Sequence, residues 1–514
     1  MTLLLRPRLL LIALMLPLGY GCTSNPSLES AVNAPPEPRA WRVQCESALK
    51  PWPVEGSNPE SAKPKGWIVA KTPGNGTIDL WGNLEDGFVQ VQRVVSTDLN
   101  WSLNPKEPYK HLRAVCRETL KERSEGDQFR LGLVRTSKND EGVYTAFLFD
   151  NWSGREGITR LVVFGDSLSD TGNLKRRLKL VPKRPYWLGR FTNGPAWTDY
   201  LETSAGVAIQ NHAVGGAMSS ELYQFEDEEL SKRIFTNGQF FVSGSISDQV
   251  DTYVNDYLDG GTLGHADKTV AILWAGANDY ISKEAFSRSI TLLLGSPASE
   301  EGYLNAVAEV VESTQRQLDR LRTAGMRHML VMTLPDLGLT PMVLHNDSYA
   351  AMAMGTNDVE RRVELSKRLS ELTLWHNTAL TEMVRVFQAD NPDITVTVLN
   401  ANRLLARIQD PAIGEQQLGF ELGSQKTPLG EGYSQLEIQE RCYSGMTLGL
   451  LADEKTICED ANRNVFWDLV HPSTYFHCWI GYAVGEALND AGWITPMPDQ
   501  QEYKTWCERI ADAY

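Results

Sequence analysis

Three residues of this 514-residue chain stand in settings that suit acyl chemistry: Ser167, Asp468 and His471. Ser167 follows an apolar run, Leu161-Val-Val-Phe164, and the turn residues Gly165 and Asp166. Such a run is long enough for a fully buried strand, so Ser167 is expected where a strand gives way to a loop. At the carboxyl edge of an open α/β sheet, that is where ligands bind. A serine hydroxyl is a poor nucleophile until a base takes its proton. Asp468-Leu-Val-His471 offers a base, His471, and a carboxylate three residues earlier able to fix the imidazole tautomer. Pro472 favours extended backbone at His471, which suits a loop at the sheet edge. Each piece alone has a plainer reading. Strand-end serines are usually turn or cap residues, and a lone Asp-x-x-His is usually a capped turn beside a surface histidine. The other histidines, His111, His212, His265, His328, His345, His376 and His477, are expected to be structural.

The elements that must position these groups alternate. Apolar runs predict strands at Leu161–Phe164, Val207–Gln210, Val270–Trp274, Met329–Leu334 and Ile394–Leu399. Between them Leu304, Val307, Val310, Val311, Leu318 and Leu321 recur at helical spacing before Gly325, and a second helix is expected over Asp358–Gln388. Short buried strands alternating with helices imply a parallel sheet covered on both faces. Long irregular insertions are expected at 218–268, 284–302 and 406–462. Before about residue 155 the pattern changes to strand-like runs at Trp67–Ala70, Ile78–Trp81, Phe88–Val95 and Val143–Phe149, separated by turn residues.

Gly165-Asp-Ser-Leu-Ser169 resembles the first motif block of the GDSL lipases and esterases of the SGNH hydrolase superfamily. Asn211-His-Ala-Val-Gly-Gly-Ala217, Gly276-Ala-Asn-Asp279 and Asp468-Leu-Val-His471 resemble the other three blocks, in the expected order. The likeness spans about 160 to 490, and four ordered blocks are specific where one would not be. Phe164–Asn173, Arg190-Phe-Thr-Asn-Gly194 and Val465–Pro472 resemble most closely the branch of bacterial secreted phospholipases, glycerophospholipid:cholesterol acyltransferases and thermolabile hemolysins. The resemblance implies an α/β fold: a flavodoxin-like three-layer sandwich with a five-stranded parallel sheet in the order 2-1-3-4-5, over residues 156–514. Residues 41–155 would form a smaller N-terminal β-rich domain. It also implies an oxyanion hole from the backbone N–H groups of Ser167 and Gly216 and the amide of Asn278. Gly215 is the rival to Gly216, with the count from Asn211 favouring Gly216; an Asx-turn is the plain alternative for Asn278. Asp170 and Asn173 are expected to organise the loop after Ser167, Asp166 and Asp279 to be scaffolding, and Arg190–Gly194 to be a turn near the site. No Gly-x-Ser-x-Gly surrounds the serine, which argues against an α/β-hydrolase elbow.

A net charge of −16 argues against a nucleic-acid partner, which needs a basic face. Arg6 and Arg8 before Leu9–Leu16 read as an export signal within residues 1–22. Leu18-Gly-Tyr-Gly-Cys22 resembles a lipoprotein cleavage box with Cys22 as the lipidated residue, although Gly19 stands where Leu is usual; ordinary cleavage is the alternative. Residues 23–40, rich in Pro, Ser, Asn and Ala, read as a linker. Six cysteines remain, an even number in an exported chain, and sequence neighbourhood favours the pairs Cys45–Cys116, Cys442–Cys458 and Cys478–Cys507. Related acyltransferases carry a disulfide loop that is cut on activation, so 442–458 is a candidate processing loop, with a plain surface loop as the alternative. Neither metal nor cofactor is expected.

The combined expectation is an exported monomer, an outer-membrane lipoprotein or a secreted protein, working at a membrane surface. It would cleave acyl esters of phospholipids or lysophospholipids through an acyl-enzyme on Ser167, with a sterol as an alternative acceptor. Met332, Met342, Met352 and Met354 are candidates for an acyl groove, with core packing as the commoner use. The alternatives are a carbohydrate acetyl esterase and a non-catalytic surface-binding protein.

Overall fold

The computed structural model describes residues 39–47, 68–85, 88–104, 108–120, 129–135 and 143–146, and then 158, 160–178, 181–205, 207–219, 243–259, 262–263, 266–281, 299–345, 358–422, 426–428, 437–445, 456–458 and 461–512. The export segment with Cys22, the linker up to residue 38, His265, Met352, Met354 and parts of the three expected insertions lie outside the described residues.

Among the described residues, eleven strands share one sheet. Five are parallel: β7 (Arg160–Gly165), β8 (Ala208–Asn211), β9 (Thr269–Trp274), β10 (His328–Met332) and β11 (Thr395–Leu399). They pair in the spatial order β8-β7-β9-β10-β11, which is the expected 2-1-3-4-5. Strand β7 lies between β8 and β9 and every one of its residues is buried. Its alternate residues go to opposite cores, as the two-residue period of a strand requires. Val162 and Phe164 face a core with Val310, Leu318 and Leu369, from helices α6 (Ser299–Thr323) and α7 (Val359–Asp390). Leu161 and Val163 face Trp197, Leu405, Trp479 and Trp506. These come from α3 (Trp197–Ala205), α8 (Ala401–Gln409), α9 (Thr474–Asp490) and α10 (Gln500–Ala511). Two cores on two faces make a three-layer sandwich.

The remaining strands are antiparallel to their neighbours: β1 (Arg39–Ser47), β2 (Ile68–Val69), β3 (Ile78–Glu85), β4 (Phe88–Ser96), β5 (Phe129–Arg135) and β6 (Val143–Ala146). They extend the sheet beyond β8 through the pair Val143↔Asn211. Strands β1 and β5 and helix α1 (Pro108–Leu120) are additions to the elements expected from sequence. Trp41, Val43, Leu112 and Cys116 of this part are buried in one continuous core with Val162 and Phe164. The first insertion is less irregular than expected, because Ile246–Tyr257 forms a helix, α4. Its Ile246, Val250 and Tyr253 recur at helical spacing and are buried.

The three expected disulfides are present. Cys45–Cys116 ties β1 to α1, Cys442–Cys458 closes a loop, and Cys478–Cys507 ties α9 to α10. Such bonds belong to oxidising compartments. No described helix is long and apolar enough to cross a membrane.

Candidate active site

The loop after β7 is held by polar contacts, both within itself and from later segments. Gln249 of α4 grips Gly165 twice: its amide donates to the glycine carbonyl at 2.8 Å, and its oxygen accepts the glycine N–H at 2.9 Å. Asp166 accepts the Leu168 N–H at 3.0 Å, turning the chain tightly at Ser167. Asp170, fully buried, accepts the N–H groups of Gly172, Asn173, Leu174 and Gly215 at 2.6–3.1 Å. Asn173 donates to the carbonyls of Asn211 and Ala213, and Asn211 donates to that of Ser169. These contacts stitch the first two motif blocks together. Burial pushes the carboxyls of Asp166 and Asp170 up, that of Asp166 to about 6.

The other loop comes from 304 residues further on. The bridge Phe466↔Pro472, with Trp467 N–H donating to the His471 carbonyl at 2.8 Å, folds 465–473 back on itself. Ser473 then caps α9 by accepting the Phe476 N–H. His471 Nε2 lies 2.8 Å from Ser167 Oγ, and its Nδ1 lies 2.7 and 2.9 Å from the Asp468 oxygens. Asp468 Oδ1 also accepts the N–H groups of Val470 and His471, and Oδ2 accepts the Tyr186 hydroxyl at 2.6 Å. Burial alone would raise the Asp468 carboxyl. The imidazole beside it, together with the hydrogen bonds from His471, Tyr186 and Val470, holds it below the usual carboxylate range. A hydroxyl, an imidazole and an ionised carboxylate thus form one hydrogen-bonded chain, an arrangement that can move a proton from oxygen to nitrogen while the carboxylate steadies the imidazolium.

Gly216 and Asn278 line the same cavity as Ser167 and His471. Asn278 sits in the short helix α5 (Ala277–Ile281) just past β9, and its Nδ2 contacts the Ala217 carbonyl at 3.0 Å and Asp166 Oδ2 at 3.2 Å. Of the two candidate glycines, Gly215 directs its N–H to Asp170, and a Cβ there would lie 2.2 Å from the Phe191 ring. Gly216 has φ +82°, in the region that favours glycine. Asp279 accepts from both the N–H and the hydroxyl of Ser219, a scaffolding contact.

The cavity holds about 460 Å³ and its walls are mainly apolar, with Leu178, Phe191, Met332, Met342, Leu405 and Phe476 among them. Of the candidate groove methionines, Met332 and Met342 line it. Among the described residues, no group of His, Cys, Asp and Glu is arranged to hold a metal ion.

The described competing histidines lie elsewhere in the hydrogen-bond pattern. His212 is buried against Gln210 and Phe164, and burial pushes it down to about 3. Burial likewise takes His477, which accepts from the Trp197 N–H, to about 3. His376 bonds the Tyr280 hydroxyl and falls to about 4. His111 accepts from Asn104 N–H, and His345 meets Glu440. His328 is held down by burial.

Sequence reasoning passed over Tyr186 and gave Arg190–Gly194 no chemical role. Arg190 forms a fully buried ion pair with Asp199 at 2.8 Å, Phe191 packs 5.1 Å from the His471 ring, and Asn193 accepts the Thr474 N–H at 2.8 Å. This turn therefore anchors the start of α9 and the histidine next to it. The spacing of its residues carries no sign of that, because every partner is remote in sequence except Asp199.

A profile of GDSL-like lipases and acylhydrolases matches residues 161–484. A phosphatidylcholine-sterol acyltransferase of Aeromonas hydrophila is 25% identical over 63% of this chain and 88% of its own length. A GDSL esterase/lipase of Arabidopsis thaliana is 25% identical over 64% of this chain and 89% of its own. The thermolabile hemolysin of Vibrio parahaemolyticus is 22% identical over 65% of this chain, and the match spans 64% of the hemolysin, a little under two thirds.

Proposed function

Since the chain belongs to the GDSL-like lipase/acylhydrolase family, we propose that it is an exported serine hydrolase of phospholipid or lysophospholipid acyl esters, with Ser167 as nucleophile. The observation that carries this reading is the Ser167–His471–Asp468 hydrogen-bond chain opening on an apolar cavity. Ser167 Oγ attacks the ester carbonyl while His471 Nε2 takes its proton. Asp468 steadies the imidazolium. The Ser167 and Gly216 N–H groups and the Asn278 amide stabilise the oxyanion. As the ester C–O bond breaks, His471 returns its proton to the departing alkoxide oxygen, leaving an acyl-Ser167. Water then attacks with His471 again as base, and the fatty acid leaves.

An apolar wall favours a long acyl chain over an acetyl group, which has little surface to bury. That sets the carbohydrate acetyl esterase second. A purely binding role leaves the buried proton-relay geometry without a use. An acceptor alcohol in place of water would turn the same acyl-enzyme into an acyltransferase, as the name of the Aeromonas relative suggests for a sterol. An acyl anchor on Cys22 would hold the monomer at the membrane surface where its substrate lies.

The test is fatty-acid release from phosphatidylcholine vesicles with and without cholesterol, set against acetate release from acetyl-xylan. Wild type should release fatty acid, and cholesterol should add cholesteryl ester if transfer occurs. Acetate without fatty acid would move the protein to the carbohydrate esterases.

A further inference from the structure

Besides His471, Tyr186 is the one side chain among the described residues that bonds Asp468, and its hydroxyl donates to Oδ2 at 2.6 Å. Nothing in the motif blocks points to it. We propose that Tyr186 is a positioning residue that acts on His471 through Asp468, an inference that rests on the serine-hydrolase reading above.

A carboxylate turns easily about its last torsion, whose energy profile is broad and two-fold. Here both oxygens are pinned. The N–H groups of Val470 and His471 hold Oδ1, and the phenol holds Oδ2 on the imidazole side, where it lies 2.7 Å from Nδ1. Without the phenol, one of the two oxygens facing Nδ1 loses its only other hydrogen bond. The phenol itself has little room to move. Its ring is buried and meets Tyr443 and Trp467 edge-on, with centroids 5.6 and 6.3 Å away. Tyr443 stacks on Trp467 at an interplanar angle of 15°. Phe191 packs between Tyr186 and His471, 6.3 Å from one ring and 5.1 Å from the other. Tyr443 is fixed in turn by its N–H to the Trp467 carbonyl at 2.6 Å and by the neighbouring Cys442–Cys458 bond. An aromatic cage therefore aims one hydroxyl at one carboxylate oxygen. The hydroxyl touches neither Ser167 nor the imidazole in the hydrogen-bond pattern, so its influence on the reaction runs through the carboxylate.

Tyr186→Phe keeps the ring and removes the hydroxyl. With a p-nitrophenyl acyl ester, whose good leaving group keeps slow variants measurable, kcat should fall about ten- to a hundredfold, the scale of a hydrogen bond to a charged group. KM should hardly change, because the lost contact does not bind substrate. In an Asp468→Ala background the same substitution should cost nothing more, since the group it acts through is gone. A kcat within twofold of wild type would overturn the proposal. So would an equal loss in the Asp468→Ala background, which would mark a purely structural role. Ser167→Ala in the same assay separates the layers: undiminished turnover there would overturn the serine-hydrolase reading itself.

Discussion

The two loops that meet at Ser167 and His471 are built in opposite ways. The serine loop is held by polar groups: Asp166 and Asp170 collect N–H groups within a few residues of themselves, while Gly215, Asn211 and Gln249 tie the loop to later segments. The histidine loop is packed by aromatic groups, with Tyr186, Phe191 and Asn193 reaching it from segments far away in sequence and Tyr443 from a nearer one. The nucleophile's position thus rests on hydrogen bonds among the first two motif blocks and Gln249. The position of the base rests more on aromatic packing, and it should be the easier of the two to disturb by loosening that packing.

Removing either end of the relay gives the largest effect. Ser167→Ala and His471→Ala should each lower kcat by about 10⁶-fold, with the double variant no worse, because groups that act as a unit are not additive. Asn278→Ala should come next, at about 10² to 10³ in kcat with KM little changed, as for loss of one oxyanion donor. A drop confined to KM would remove Asn278 from that role.

Asp166 sharpens the contrast through pH. Burial raises its carboxyl to about 6 in the folded chain, above the unfolded value of 3.8. The folded state therefore holds this proton more tightly. The stability it contributes is full below pH 3.8 and is lost as pH rises through about 6. A shift of that size corresponds to about 3 kcal/mol. Denaturant titrations of wild type and Asp166→Asn should show their stability difference moving by up to that amount between pH 4 and 7, with the wild type losing ground. A constant difference would mean that the carboxyl is not raised.

The smallest effect tests the remote side. Opening the Cys442–Cys458 bond by Cys442→Ser/Cys458→Ser should lower kcat severalfold by loosening Tyr443 against Trp467 and Tyr186. Since the hydrogen bonds of the serine loop among the described residues do not involve this segment, a fluorophosphonate should still label Ser167, only more slowly. An unchanged kcat would show that the aromatic cage holds without the bond.

The same contrast explains what could be read in the residues beforehand. The parallel sheet was legible because β7, β9 and β10 are largely apolar runs, its strand order came from the family resemblance, and the three disulfides each join cysteines that are consecutive in the chain. Ser167, Asp468 and His471 stood out because their motifs are compact, and the fold brings them within hydrogen-bond distance. Tyr186 was hidden: a buried tyrosine in a proline-containing loop looks the same whether its hydroxyl meets a carboxylate or a carbonyl. The helix Ile246–Tyr257 was masked by the polar sequence around it. The edge pairing Val143↔Asn211, which joins the antiparallel strands to the parallel set, depends on tertiary register and has no local signal.

The most direct test of the proposed relay is intact-mass and peptide mass spectrometry after brief treatment with a long-chain fluorophosphonate. One adduct should appear, on the peptide bearing Ser167, and it should form far more slowly in His471→Ala. An adduct on another residue, or labelling of Ser167 at the same rate without the imidazole, would contradict the account.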